Sequence, residues 1–348
     1  MTVFVRAAAL SNFAEVARQV GLNPIQALRE VGLDPRVLED PDLRVPVTTV
    51  AELLEIAAER SGCVTFGLRM AESRQLANFG AMSLLITHQP TLRDAMSAIV
   101  SYRHLLNEAL AASVEDCGDL VILREELLVG TQRPLRQAYE LAIATLFRMV
   151  RSLLGPRWRP LSVNFTHAAP PDLSVHRRIL GLDVQFGSEF NGIVCVSADL
   201  DRPNPAADPA LAQYAKQFID TLPFADRKST THEVRKAIYL LLPVGGSGIG
   251  RVAQSLGMNV RTLQRRLAAE GEEFSDLVNG VRRDLIVRYL ENRAYSMTRI
   301  AQMLGYGQLS SFTRWFVGQF GVSPTAWRRG LDARSAERLP VETALRGR

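Results

Sequence analysis

The feature that most limits what this 348-residue chain can be is a repeat inside its last third. "RVAQSLG" from Arg251 and "RIAQMLG" from Arg299 match at an offset of 48 residues. Leu263 and Leu267 then fall opposite Phe312 and Phe316 at 49, and Gly271 and Leu277 opposite Gly321 and Trp327 at 50. One supersecondary unit is used twice, and any fold class has to accommodate it. Each copy reads as a short helix (249–256; 298–304), a glycine turn (Gly257; Gly305) and a second helix. A helix pair joined by a short glycine turn is a helix-turn-helix.

The second helix of each copy carries the chemistry. In "NVRTLQRRLAAEG", Asn259 is the expected cap. Val260, Leu263 and Leu267 share one stripe by helical spacing and are expected to pack on the first helix. Arg261, Gln264 and Arg265 then face outward near the N-terminal end. In "GQLSSFTRWFVGQF" the predicted core stripe is Leu309, Phe312, Trp315 and Phe316. Gln308, Ser311 and Arg314 face out, with Ser310 beside them. Such a face suits the major groove of DNA: Arg donates to guanine O6 and N7, Gln pairs with adenine N6 and N7, and Ser serves phosphates or base edges. A helix N-terminus adds partial positive charge. One such helix alone reads equally well as a solvated hairpin. Two copies joined by the long helix "SDLVNGVRRDLIVRYLEN" do not. Its predicted buried stripe, Leu277, Val281, Leu285 and Tyr289, would fix two recognition helices for successive major grooves, ~34 Å and ~10 bp apart.

Charge follows the same division. Residues 228–348 hold 19 Lys and Arg against 10 Asp and Glu, a balance of +9, whereas residues 1–227 hold 22 against 26. A basic module on a mildly acidic body points to a polyanion partner. The three cysteines, Cys63, Cys117 and Cys195, offer neither a disulfide framework nor a CxxC metal pair, and are expected to be buried thiols. The apolar stretch before Asn12 is too short for a signal segment, and no run of ~18 uncharged apolar residues appears. A soluble cytoplasmic protein with no membrane partner is expected.

The first two thirds are α+β. Helices are expected after Ser11 or Asn12, after Asn23-Pro24 up to Gly32, from Thr48 or Thr49 to Gly62, and on either side of Pro90 with Thr91 as a cap. "ALAASVEDCGDLVILREEL" reads as a hairpin about a Cys117-Gly118-Asp119 turn. "RPLRQAYELAIATLFRMVRSLLG" is a long helix. "LSVNFTH", "DVQFG" and "GIVCVS" are short strands, with "DLSVHRRILGL" a helix between the first two. "DRPNPAADP" is a break, and "ALAQYAKQFIDTL" a further helix. The expected organisation is an α+β sensor and dimerisation domain (1–222), a linker (223–230), an all-α DNA-binding domain with two helix-turn-helix units (231–330) and a tail that frays (331–348).

At this point the residues resemble a known family. "RTLQRRLAAEG", "VRRDLIVRYL" and "IAQMLGYGQLSSFTRWFVGQFGVSPTAWR" are similar to the AraC/XylS transcription regulators over about residues 230–330. The resemblance places Arg261, Gln264, Arg265, Gln308, Ser310, Ser311 and Arg314 at the family's base- or phosphate-contacting positions. Gly307 stands where the family often has Ser, Glu or Asp. "GLRMAE", "QAYELAIATLFRMVRSLLGP", "VNFTHAAP" and "ILGLDVQFG" resemble the arabinose-binding-domain-like sensor of the OruR and VirS branch, and not the cupin barrel of the arabinose sensor itself. The resemblance implies a one-component activator. Its partners would be double-stranded promoter DNA, RNA polymerase, a small-molecule effector and a second copy of the chain. No cofactor and no metal are expected.

Other signals carry less. "GGSGIG" (245–250) has the glycine spacing of a phosphate loop, but Arg251-Val252 replace Lys-Ser/Thr, so a connection between helices is expected. The five histidines show no HExxH pair or close ligand set. Ser174 and His176 are too close on a helix to act as nucleophile and base. No catalytic residue is assigned. The apolar helix "LAIATLFRMVRSLL" is the best candidate for one wall of a sensor pocket. Two other classes stay open: an enzyme such as a repair alkyltransferase fused to a DNA-binding domain, and a constitutive DNA-binding protein whose N-terminal domain only dimerises.

Overall fold

The computed structural model describes residues 2–129, 134–181, 183–222 and 229–337, with side chains to residue 330. The chain forms two compact units, Met1–Lys228 and Ser229–Arg348. Of the expected linker, residues 223–228 lie outside the described residues; its last two, Ser229 and Thr230, cap and open the first helix of the second unit. Of the expected tail, residues 338–348 lie outside them too, and 331–337 continue a helix.

The first unit begins with strand β1 (Phe4–Arg6), then α1 (Phe13–Gln19) and α2 (Pro24–Glu30). Asn23 caps α2 by accepting from the N–H groups of Ile25 and Gln26, and Pro24 follows where its missing N–H costs nothing. Asn12 does not cap α1: it sits at φ 69°, and its amide donates to the carbonyl of Met70 instead. Strand β2 (Arg44–Pro46) pairs antiparallel with β1, and α3 (Val47–Ser61) follows without a gap. Thr48 and Thr49 are therefore in its first turn and not its caps, because Pro46 already supplies the extended entry residue. Then come α4 (Phe66–Glu72), α5 (Ala81–Thr87) and α6 (Leu92–Leu106), the last capped by Thr91 Oγ1 accepting from Asp94 N.

Strands β3 (Leu110–Cys117) and β4 (Leu120–Leu127) form the expected hairpin, with Cys117 opposite Leu120. Helix α7 (Arg136–Leu154) leads to β5 (Ser162–Asn164), α8 (Ser174–Leu180), β6 (Val184–Gln185), β7 (Gly192–Val196), α9 (Ser197–Leu200) and α10 (Pro209–Asp220). The sheet order is β3-β4-β7-β5-β6; β5 and β6 run parallel and the other neighbours antiparallel. One buried core joins α1, α3, α4, α6 and α7 to the inner sheet residues Val121, Leu123, Val163 and Ile193. Helix α7 is at its centre, burying Ile143, Ala144, Phe147 and Val150. Cys195 is buried and its thiol is pushed up to about 12 by that burial; Cys63 is half-buried and Cys117 exposed on the hairpin turn, so only one of the three fits the expectation.

The second unit is helical: α11 (Thr230–Leu241), α12 (Ile249–Ser255), α13 (Val260–Ala269), α14 (Phe274–Glu291), α15 (Met297–Met303), α16 (Leu309–Phe320) and α17 (Pro324–Glu337). "GGSGIG" follows a short 3-10 turn and leads into α12, a connection between helices. Among the described residues no helix is long and apolar enough to cross a membrane.

Candidate functional site

The repeat is a repeat of hydrogen bonds as well as of letters. In the first copy Gly257 N donates to Gln254 O (3.0 Å) and Met258 N to Ala253 O (2.9 Å). In the second, Gly305 N donates to Gln302 O (2.9 Å) and Tyr306 N to Ala301 O (2.9 Å). Gly257 and Gly305 close these turns at φ 65° and 75°, the left-handed region that glycine enters without a Cβ clash. The chain then turns into α13 and α16. Asn259 Oδ1 accepts from Thr262 N at 2.8 Å and starts α13 as expected; Gln308 occupies the same place before α16 without a side-chain cap.

The second helix of each copy has one buried pair, Leu263 and Leu267 in α13, Phe312 and Phe316 in α16. Trp315 is half-buried and donates from Nε1 to Asn279 Oδ1 of α14 (3.2 Å). Val260 and Leu309, expected in the packing stripes, are exposed. Each is the first residue of its helix and lacks the flanking turn that encloses a mid-helix side chain. Arg261, Gln264, Arg265, Gln308, Ser310, Ser311 and Arg314 are all exposed, with no side-chain hydrogen bond or ion pair among the described residues.

The connector α14 buries Leu277, Val281, Leu285 and Tyr289 as its stripe predicts. It is fastened to the second copy. Arg282 Nε donates to Leu304 O (3.0 Å) while its guanidinium lies 4.2 Å from the centre of the Tyr306 ring, and Arg283 Nη1 donates to Gln319 Oε1 of α16 (2.9 Å). The first copy is held through α11. Glu270, at the end of α13, accepts from Ser229 Oγ and from the N–H groups of Thr230 and Thr231, so it caps α11, whose Arg235 pairs with Asp284 of α14 at 2.6 Å. Burial raises the Glu270 carboxyl, but the hydrogen bonds led by Thr231 N–H outweigh it and hold it at about 2. The second helices of the two copies are thus both tied to α14, the first through α11 and the second directly.

The first unit contains a cavity of about 150 Å³ with mostly apolar walls. Helix α7 supplies Leu141, Ala142, Leu146 and Met149, so the helix picked out as a pocket wall does line one. Strand β4 contributes Glu125, only 6% exposed, whose carboxyl is pushed up to about 8 by burial. Elsewhere in the unit three groups converge on the fully buried Glu140 of α7. His176 Nε2 and Arg136 Nε each lie 3.0 Å, and His167 Nε2 3.6 Å, from its Oε1. Sequence spacing gave no sign of this, since the histidines arrive from β5's exit and from α8. Arg136 and Glu140 form its ion pair, and burial favours the neutral form of His167; among the described residues no cluster of His, Cys, Asp and Glu is arranged to hold a metal.

A family model described as the arabinose-binding domain of the AraC transcription regulator matches residues 21–204, and one described as a helix-turn-helix domain matches residues 252–330. The chain belongs to the AraC family of transcription regulators. This AraC-family chain is 30% identical over 327 residues to the HTH-type transcriptional regulator VirS of Mycobacterium tuberculosis, covering 93% of this chain and 96% of that one. It is 24% identical over 301 residues to the ornithine utilization regulator of Pseudomonas aeruginosa, covering 84% and 87%. It is also similar to the crystal structure of transcriptional regulator CdpR from Pseudomonas aeruginosa, at 19% identity and a TM-score of 0.43, over 87% of this chain and 96% of that one. It is a DNA-binding transcription regulator whose N-terminal part is a ligand-binding domain of the arabinose-binding type.

Proposed function

We propose that residues 231–330 read promoter DNA with α13 and α16 in successive major grooves, and that residues 1–222 form the sensor that alters this binding when an effector occupies it. Residues 223–230 serve as the linker and 331–348 as a tail. The observation that carries the reading is the same division of faces in both copies: an apolar pair buried inward, and Arg261, Gln264 and Arg265, or Gln308, Ser310, Ser311 and Arg314, exposed and uncommitted. Long side chains without internal partners can meet base edges at no cost to the fold. Val260 and Leu309, exposed at the helix starts, add apolar contacts of the kind a thymine methyl accepts.

The regulator acts as an activator and engages RNA polymerase from its bound site. It works as a homodimer. Leu211, Tyr214 and Phe218 are exposed at helical spacing on α10, an apolar strip that a second copy would cover. The test is a footprint of the full chain on DNA upstream of its own and adjacent genes, followed by transcription in vitro from the protected promoter. Protection with a rise in transcript is expected. No protected site overturns the DNA reading, and protection with a fall in transcript overturns the activator reading.

A further inference from the structure

The family description names a sugar, but the cavity is not built for one. A pentose carries hydroxyls all round and needs a hydrogen-bond partner for each that is buried. The few polar side chains of these walls are partly committed. The amide oxygens of Asn107 and Asn78 accept from Ala109 N and Gln75 N, Thr145 donates to Leu141 O, and Arg6 is held by Asp42. Among the neutral side chains that leaves chiefly the NH2 groups of Asn78 and Asn107, in walls that are otherwise mostly apolar. Two charged side chains remain. Glu125 is buried with no side-chain hydrogen bond or ion pair among the described residues. Arg74 donates from Nη2 to Ala9 O, but among the described residues its buried Nε has no partner and no carboxylate stands beside it.

Among the described residues of these walls Arg74 is then the cation without a counter-ion, since the Arg6 charge is balanced by Asp42 and burial disfavours the charged form of Glu125. A buried charge without a counter-ion is costly, so the complementary ligand is an anion. A cavity near 150 Å³ takes about one benzene ring or a short chain. We propose that this cavity is the effector site and that it takes a small monocarboxylate with an apolar body, the carboxylate toward Arg74 and the body against α7. Burial pushes the Glu125 carboxyl up to about 8, which favours its protonated form at neutral pH; in that form it adds no competing negative charge and offers its O–H as a donor. The proposal rests on the reading of the first unit as a sensor, and gives that sensor a ligand class.

The experiment uses the full chain, with benzoate and hexanoate as probes against L-arabinose and benzylamine. Calorimetry and thermal shift read binding, and operator affinity is measured in parallel. Benzoate or hexanoate should bind, and arabinose and benzylamine should not. Ala142→Phe fills the cavity from α7 and should abolish binding while leaving a folded protein. Arg74→Gln should weaken binding by more than about tenfold. Glu125→Gln, which keeps a neutral donor, should leave it close to wild type. Benzylamine binding that Glu125→Gln removes, arabinose binding, no binding by either acid, or acid binding that survives Ala142→Phe each overturns the proposal. Carboxylate binding that leaves operator affinity and transcription unchanged sinks the sensor reading alone. A neutral or cationic probe that shifts operator affinity sinks the ligand class alone.

Discussion

Arg265→Ala separates base reading from a merely basic surface. Arg265 is exposed on α13 without an internal partner among the described residues, so its loss should change folding stability by less than ~0.5 kcal/mol. If it donates both N–H groups to one guanine, it is worth ~1–3 kcal/mol of discrimination. At ~1.4 kcal/mol per factor of ten, operator affinity then falls by about 5- to 150-fold. On a scrambled duplex the change removes at most one phosphate-neutralising charge, which lowers the slope of log affinity against log salt by about 0.9. Arg329→Ala removes the same charge from an exposed position on α17 and serves as the control. The assay is fluorescence anisotropy with the full chain on operator and scrambled duplexes over a salt series. Equal losses on both duplexes, or equal losses for the two variants, would reduce α13 to a basic patch and refute the assignment of Arg265.

Three further outcomes follow from the same geometry. The first recognition helix offers Arg261, Gln264 and Arg265, and the second Gln308, two short serines and Arg314 with no side chain at Gly307, so Gln264→Ala should narrow the gap between operator and scrambled DNA more than Gln308→Ala; an equal or reversed effect, read by anisotropy, contradicts this division. Glu270 holds a folded-state value near 2, below its ordinary 4.5, so its stabilisation is present above pH 4.5 and lost as pH falls toward 2. For this solvent-exposed carboxylate the gap between wild type and Glu270→Gln should be about 1 kcal/mol at pH 7, after discounting for screening, and should shrink below pH 4.5; denaturant unfolding that shows a pH-independent gap rejects the account. A Cβ at Gly67 would penetrate the carbonyl of Gln137, where α4 meets the start of α7, so Gly67→Ala should cost ~1–3 kcal/mol in thermal unfolding, and a neutral result would mean the contact yields freely.

The helical second unit was legible because its signals are local and doubled. Helical spacing, two glycine turns and the Asn259 cap need only a few neighbouring residues, and the second copy checks the first. The hairpin around Gly118 and the helix from Arg136 to Leu154 are legible for the same reason. Helix α4 leaves no local signal in the sequence. Phe66, Gly67, Leu68, Met70 and Ala71 bury it on every side, which leaves no apolar-polar period, and Thr65 makes no side-chain cap. Strands β1 and β2 are three residues each and pair Phe4 with Pro46 across a long separation, where alternation is too short to register. The cavity was half legible. The apolar face of α7 announced a wall, whereas "LREEL" in β4 looks like a solvated strand end. In the fold Arg124, Glu125 and Glu126 are all buried, a placement that only tertiary packing determines.

The central claim is that two recognition helices on one frame occupy two successive major grooves. Hydroxyl-radical footprinting of the full chain on its operator, at saturating protein, measures this directly. Two protected stretches on one face of the duplex are expected, centred ~10 bp apart, with the Gln264→Ala/Arg265→Ala double variant losing contacts at one stretch and retaining the other. A single protected stretch, two stretches out of phase with the helical repeat, or joint loss of both in the variant would contradict it.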